Sequence, residues 1–207
     1  MTKEKDSQKK LLSRRNFLRG VSKGAVTTAV IPSTITTLET KKYIPDEKDG
    51  LEKGKVNLIV NGKSYKLVVE ARETLADTLR KQLNLTGTKI TCNHGSCGSC
   101  TVLLDGMPIY SCMTLTMDVN NCKIKTIEGL ASDGKLHPVQ EAFIEKDGIQ
   151  CGFCTPGQIM SATALLDKNP NPTLEEVKLG MSGNLCRCGA YPKIFESVLK
   201  AAEKGRR

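Results

Sequence analysis

The sequence predicts an α+β fold in two parts, strand-rich first and helical after. Three observations carry that expectation. Short alternating apolar runs separated by turn signals fill residues 56–127. After Gly134 the apolar period changes to a helical one. Eight of the nine cysteines form two quartets, one in each part, with unlike spacings.

The elements follow in order. Thr34 to Lys55 is polar, contains Pro45 and Gly50, has no apolar period and reads as a linker. Val56–Val60 and Tyr65–Val69 flank Asn61-Gly62, the pair that two-residue hairpin turns favour because both positions need φ > 0. Thr74 is an N-cap for a short helix through Leu83. Gly87–Cys100 is rich in glycine and cysteine and must be loop. A strand at Thr101–Leu104 turns at Asp105-Gly106, another begins near Pro108, and Lys123–Ile127 alternates once more. Four helices come next, opened by His137-Pro138, Thr155-Pro156, the capping box Thr173-Leu174-Glu175-Glu176 and Tyr191-Pro192. The expected organisation is a leader and linker at 1–50, a strand-rich domain at 51–132 and a small four-helix bundle at 133–207.

The first quartet is Cys92-x4-Cys97-x2-Cys100-x11-Cys112, and the second is Cys151-x2-Cys154-x31-Cys186-x1-Cys188. C-x4-C-x2-C with a later fourth cysteine is the plant-type [2Fe–2S] spacing, and each such cluster takes four thiolates. Strands, one helix and a long metal loop make the first part a β-grasp, ferredoxin-like domain. Two clusters in one small chain imply a relay that moves electrons singly between other centres.

Other readings of the cysteines are weaker. Structural zinc prefers two well-separated knuckles, whereas here three ligands crowd into nine residues and the second quartet closes with C-x-C. Cys97/Cys100 and Cys186/Cys188 are too close together to be a disulfide framework. A thioredoxin-like site at Cys151–Cys154 would need a βαβ context. His94 as a Rieske-type ligand would need a second histidine beside two cysteines. His137 reads as a helix-start residue, and Cys122 is left over. Gly95 and Gly98 are expected to take φ > 0 and turn backbone N–H groups toward the cluster sulfurs.

The net charge of +9 comes from 31 basic and 22 acidic residues, and the first fifty residues supply +5 of it (11 basic, 6 acidic). The remainder has no aromatic-studded basic stripe, so nucleic acid is not an expected partner. Ser13-Arg14-Arg15-Asn16-Phe17-Leu18-Arg19, followed by a mildly apolar stretch from Val21 to Ile31, matches the twin-arginine export pattern. That stretch holds Lys23 and stops at Pro32, too short and polar to span a bilayer. A basic amphipathic helix is the bland alternative. No A-x-A cleavage signal is visible. The expected location is the periplasm.

The runs Cys92-Asn93-His94-Gly95-Ser96-Cys97-Gly98-Ser99-Cys100, Gln150-Cys151-Gly152-Phe153-Cys154-Thr155-Pro156-Gly157 and Met181-Ser182-Gly183-Asn184-Leu185-Cys186-Arg187-Cys188-Gly189 closely resemble the iron–sulfur subunit of molybdenum hydroxylases. This is the xanthine dehydrogenase and aldehyde oxidase family, and the resemblance covers about residues 55–203. With the twin-arginine start it is most similar to the small subunit of a periplasmic aldehyde oxidoreductase. Asn93 and Ser99 depart from the commoner acidic and alanine residues, and Cys122 is no family ligand.

The resemblance implies a division of labour. The helical-domain cluster would lie nearest a molybdopterin cofactor on a large subunit, and the β-grasp cluster would pass electrons to FAD on a medium subunit. Gln150 would hydrogen-bond the pterin, with Cys188 beside it. The large subunit would hydroxylate an aldehyde or an electron-poor heteroaromatic ring with oxygen from water. No substrate chemistry is expected on this chain. A free-standing two-cluster ferredoxin is the alternative, and a zinc-stabilised interaction module a more distant one.

Overall fold

The computed structural model describes residues 52–205. The twin-arginine motif, the apolar stretch behind it and the linker up to residue 50 lie outside the described residues. Strands β1 (Lys53–Val60) and β2 (Lys63–Glu70) pair antiparallel, with Lys53 opposite Glu70 and Val60 opposite Lys63. Asn61 (φ 50°) and Gly62 (φ 80°) are both left-handed, as a two-residue primed turn requires. Val56, Leu58 and Val60 share one buried face, and the residues between them are less covered.

Strands β3 (Thr101–Leu104) and β4 (Met107–Tyr110) form a second hairpin, and β5 (Lys123–Lys125) runs parallel to β1 and antiparallel to β3. The mixed sheet has the order β2-β1-β5-β3-β4. The last strand stops two residues before the expected Ile127. There Asn61 Nδ2 donates to Thr126 Oγ1, and the Thr126 N–H donates to Asn61 Oδ1, both at 2.9 Å. These side-chain bonds replace the ladder, and Ile127–Gly129 curls into a 3-10 turn.

Helix α1 (Leu75–Asp77) starts at the Thr74 cap, whose Oγ1 accepts from the Asp77 N–H at 3.2 Å. It continues as a π-helical turn, Thr78–Gln82, in which the Leu83 N–H donates to the Thr78 carbonyl at 3.1 Å. The sequence period gives no hint of this widening. It accompanies two adjacent residues that both face inward: Thr78, bonded to Thr116 Oγ1 at 2.8 Å, and Leu79 in the sheet core.

The helical half consists of α2 (Pro138–Glu145), α3 (Thr155–Lys168), α4 (Leu174–Gly180) and α5 (Tyr191–Lys204). His137 caps α2 through Nδ1, which accepts from the Val139 N–H at 3.3 Å, while Gln140 Oε1 accepts from the His137 N–H at 2.9 Å. Thr173 and Glu176 form the expected capping box on α4. Ile194, Val198 and Ala201 on α5 meet Val139, Ala142 and Phe143 of α2 in one core.

Strand β3 joins the two halves. Val102 points into the core under the sheet with Leu58, Leu75 and Leu79. Leu103, one residue on and therefore on the opposite face, belongs to the helical core with Phe143, Met160 and Ile194. Helix α3 packs across β3, and the described residues form one compact unit with two main cores and a small third cluster of Ala76, Cys100 and Cys112. No helix among the described residues is long and apolar enough to cross a membrane.

Candidate functional site

The first quartet sits on the loop between the π-helical turn and β3, and on the turn after β4. Arg80 pins the loop's start by donating to the Thr86 and Thr88 carbonyls at 2.8 and 2.7 Å. Gly95 and Gly98 both take positive φ, 77° and 70°. The turns aim amides at sulfur. The His94 N–H beside Cys92 holds that thiol down to about 6, and the Ser96 N–H donates to the same Sγ at 3.3 Å. Cys100 and Cys112 are buried, while Cys92 and Cys97 are half-buried. Burial pushes the Cys100 thiol up to about 12, so a thiolate there needs a cation beside it. The Cys97 thiol lies 3.5 Å from Ser99 Oγ.

The second quartet comes from the turn that opens α3 and from the connection between α4 and α5. The Phe153 N–H lowers the Cys151 thiol, whereas burial raises Cys154 to about 12. Tyr191, at the first position of α5, accepts the Cys186 N–H on its hydroxyl oxygen at 2.8 Å. All four cysteines line a cavity of about 460 Å³, shared with Phe153, Arg187 and Tyr191. Cys97 and Ser99 of the first loop form part of its wall. Cys151, Cys188 and Gln150 are exposed, beside the exposed apolar side chains of Ile149, Phe153 and Leu185.

Within each quartet the thiols act on one another: Cys92 with Cys97, Cys100 with Cys112, Cys151 with both Cys188 and Cys154, and Cys186 with both Cys154 and Cys188. A [2Fe–2S] centre takes four thiolates, two on each iron. The four free cysteines of each quartet supply that number. Among the described residues no group of three or more His, Cys, Asp or Glu is already drawn together into a metal site. All nine cysteines are free thiols, so no disulfide framework is present. His94 turns its ring Nδ1 to the Cys92 carbonyl. The donor set fits two binuclear iron–sulfur centres.

The structure also brings together residues that pattern reading passed over. Asn184 is buried between the two quartets, and Tyr110 donates to the Gly183 carbonyl. Gly157 of α3 lies so close to the first loop that a Cβ there would sit 2.3 Å from the Gly98 carbonyl oxygen. Asn184 was visible in the sequence only as one letter of a motif. Nothing local signals that an asparagine two residues before Cys186 will be buried.

Two family models match the chain. A 2Fe-2S iron-sulfur cluster binding domain covers residues 58–131, and a [2Fe-2S] binding domain covers residues 126–199. The nicotine 6-hydroxylase small subunit of Paenarthrobacter nicotinovorans is 51% identical over 76% of this chain and 93% of its own length. The aldehyde oxidoreductase iron-sulfur-binding subunit PaoA of Escherichia coli (strain K12) is 42% identical over 92% of this chain and 88% of its own. Among solved structures, a chain of quinoline 2-oxidoreductase from Pseudomonas putida 86 superposes with a TM-score of 0.72 at 44% identity. That match covers 75% of this chain and 97% of that one.

Proposed function

The chain belongs to the iron–sulfur subunits of the molybdenum hydroxylases, and from that premise we propose that its two quartets carry the relay. Cys92, Cys97, Cys100 and Cys112 hold the first [2Fe–2S] centre, and Cys151, Cys154, Cys186 and Cys188 hold the second. The observation that supports this reading is that Cys151, Cys154, Cys186 and Cys188, from distant segments, line one cavity whose wall also includes Cys97 of the first quartet. Each centre, when bound, takes up and gives back one electron. The rest is the work of the chain itself. Amides of the first loop neutralise sulfur charge, the sheet and α3 exclude water, and Tyr191 fixes the Cys186 backbone. Residues 51–132 and 133–207 are read as the two centre-bearing domains.

The partner is a large molybdenum-bearing subunit, and the exposed ring of Gln150, Cys151 and Cys188 is read as the face toward its pterin. A medium FAD subunit is the proposed acceptor on the side of the first quartet. Relatives named for nicotine, caffeine and aldehydes leave two substrate classes for the complex. The aldehyde oxidoreductase subunit aligns with 92% of this chain, more than residues 52–207 alone make up (156 of 207), so its match extends into the segment around the twin-arginine motif. That extension favours the aldehyde class, and the Arg14-Arg15 motif is the reason to propose folded export to the periplasm.

Expression with the neighbouring subunits tests the reading. The complex should contain about four irons per copy of this chain, consistent with two [2Fe–2S] centres. Added aldehyde should bleach the visible spectrum. Arg14→Lys with Arg15→Lys should leave the complex in the cytoplasm. A chain that purifies alone and iron-replete from its native host would favour the free-standing ferredoxin instead.

A further inference from the structure

Asn184 is 4% exposed, and its side chain is bonded to segments from both halves of the fold. Nδ2 donates to the Gly98 carbonyl at 2.9 Å and to Thr101 Oγ1 at 3.3 Å. Oδ1 accepts from Ser161 Oγ at 2.7 Å, and the Asn184 carbonyl accepts from Gln158 Nε2 at 3.1 Å. Gly98 and Thr101 follow the first cysteines, Ser161 and Gln158 lie on α3, and Asn184 precedes Cys186. The fit has no slack. A Cβ on Gly98 would sit 2.5 Å from the Gly183 carbonyl oxygen. Held this way, the Leu185 N–H donates to the Cys97 carbonyl at 2.9 Å.

That last bond joins the quartets. From Cys97 Sγ the covalent chain runs through Cβ and Cα to the carbonyl oxygen. It crosses one hydrogen bond to the Leu185 nitrogen and continues through the backbone to Cys186 Sγ. Electronic coupling decays least along covalent bonds, more across a hydrogen bond, and most across a gap. We infer that Asn184 is a positioning residue for electron exchange between the two centres: it clamps the loops so that the Cys97 carbonyl and Leu185 N–H form the bridge between them. One electron leaves one centre and arrives at the other, with no bond made or broken and no proton moved. The inference rests on the assignment of Cys97 and Cys186 to different [2Fe–2S] centres.

The test uses the full chain with both centres loaded. In Asn184→Ala, the Leu185 amide should lose its protection against hydrogen exchange while iron content stays at the wild-type level. The spin–spin splitting of the fully reduced chain should shrink, and electron equilibration between the centres after a reducing pulse should slow several-fold. A purely structural asparagine would lower the unfolding midpoint without moving either electronic readout, and that result would overturn the proposal. If Asn184→Ala loses iron, replacing Leu185 by its α-hydroxy acid removes that N–H, and Gln158→Leu controls for the weakened Asn184 carbonyl that accepts from Gln158. Slower equilibration with iron intact supports the bridge, and an unchanged rate overturns it. A wild-type chain without two distinct reduced signals would instead reject the ligand assignment.

Discussion

Tyr110, the last residue of β4, donates its phenolic hydroxyl to the carbonyl of Gly183 at 2.7 Å, across 73 residues of sequence. The bond ties the sheet to the turn that leads into the C-x-C pair. A Cβ on Gly183 would meet that hydroxyl oxygen and push the Tyr110 ring off the bond. Tyr110→Phe removes one hydrogen bond and keeps the ring, and should destabilise the chain by about 1 kcal/mol. For a chain of this size that is a fall of roughly 2–4 °C in Tm. Both centres should still form, and loss of iron would show that the bond does more than tie the halves.

Ser99 stands two residues after Cys97, whose thiol donates to the Ser99 hydroxyl oxygen at 3.5 Å. It is 4% exposed, so little water competes for that contact. As an iron-bound thiolate Cys97 would have no proton to give, so the Ser99 hydroxyl would donate to it and stabilise the reduced, more negative state. Ser99→Ala should therefore lower the potential of the first centre. A hydrogen bond worth about 1 kcal/mol corresponds to a shift on the order of 40 mV for one electron. Redox titration followed by electron paramagnetic resonance separates the two centres. Equal shifts in both would mean that the contact acts through the fold rather than on Cys97.

Much of this architecture was readable from local rules because local rules decide it. Asn61-Gly62 can adopt the double left-handed turn, so the hairpin follows from two letters. Pro138, Pro156 and Pro192 mark three helix starts that the structure places within the first two positions. What stayed hidden depends on distant partners. The π-helical turn after Asp77 answers to Thr116, and the early end of β5 answers to Asn61. Asn184 is buried because Gly98 and Ser161 meet it there, and no window of sequence around residue 184 contains either.

Burial, more than the opposing pulls of Asp167 and Lys125, lowers the pKa of His137 from 6.5. The neutral ring accepts the Val139 N–H as the cap of α2. With the folded pKa below the unfolded one, the unfolded state binds more protons as pH falls. Stability supplied by this group is present above about 6.5 and is lost as pH drops through the folded value. His137→Asn keeps a capping oxygen and removes the titration. Urea midpoints measured from pH 7.5 down to pH 5 should fall less in the variant than in the parent. Parallel curves would place the pH dependence elsewhere.

Cys122 is the ninth cysteine and belongs to neither quartet. Its thiol lies 3.8 Å from the Asn120 carbonyl, and its side chain packs at the edge of the sheet core. Burial and the neighbouring Asp105 carboxylate raise its pKa. Cys122→Ala should leave iron content and both reduced signals unchanged, at a stability loss of about 1 kcal/mol or less for a half-buried sulfur. Loss of either signal would mean that one quartet has been drawn wrongly.

The last prediction separates wiring from assembly. Gln150 is exposed, next to the exposed Cys151, and Cys151 is paired with the exposed Cys188. If this side faces the pterin of the large subunit, Gln150→Ala removes a hydrogen-bonding amide at the contact without touching a thiol. Both centres should be built, while reduction of the second centre by substrate in the assembled complex should slow. An unpaired polar group left at a closed interface costs about 1–3 kcal/mol, so weaker docking should accompany the slower step. Cys154→Ala acts differently. Its thiol is paired with Cys186 in the cavity wall, and its loss should abolish the second centre and destabilise the helical half. Stopped-flow absorbance with aldehyde reads both variants. A normal rate in Gln150→Ala would move the pterin away from that side chain. A second centre surviving in Cys154→Ala would remove Cys154 from the ligand set.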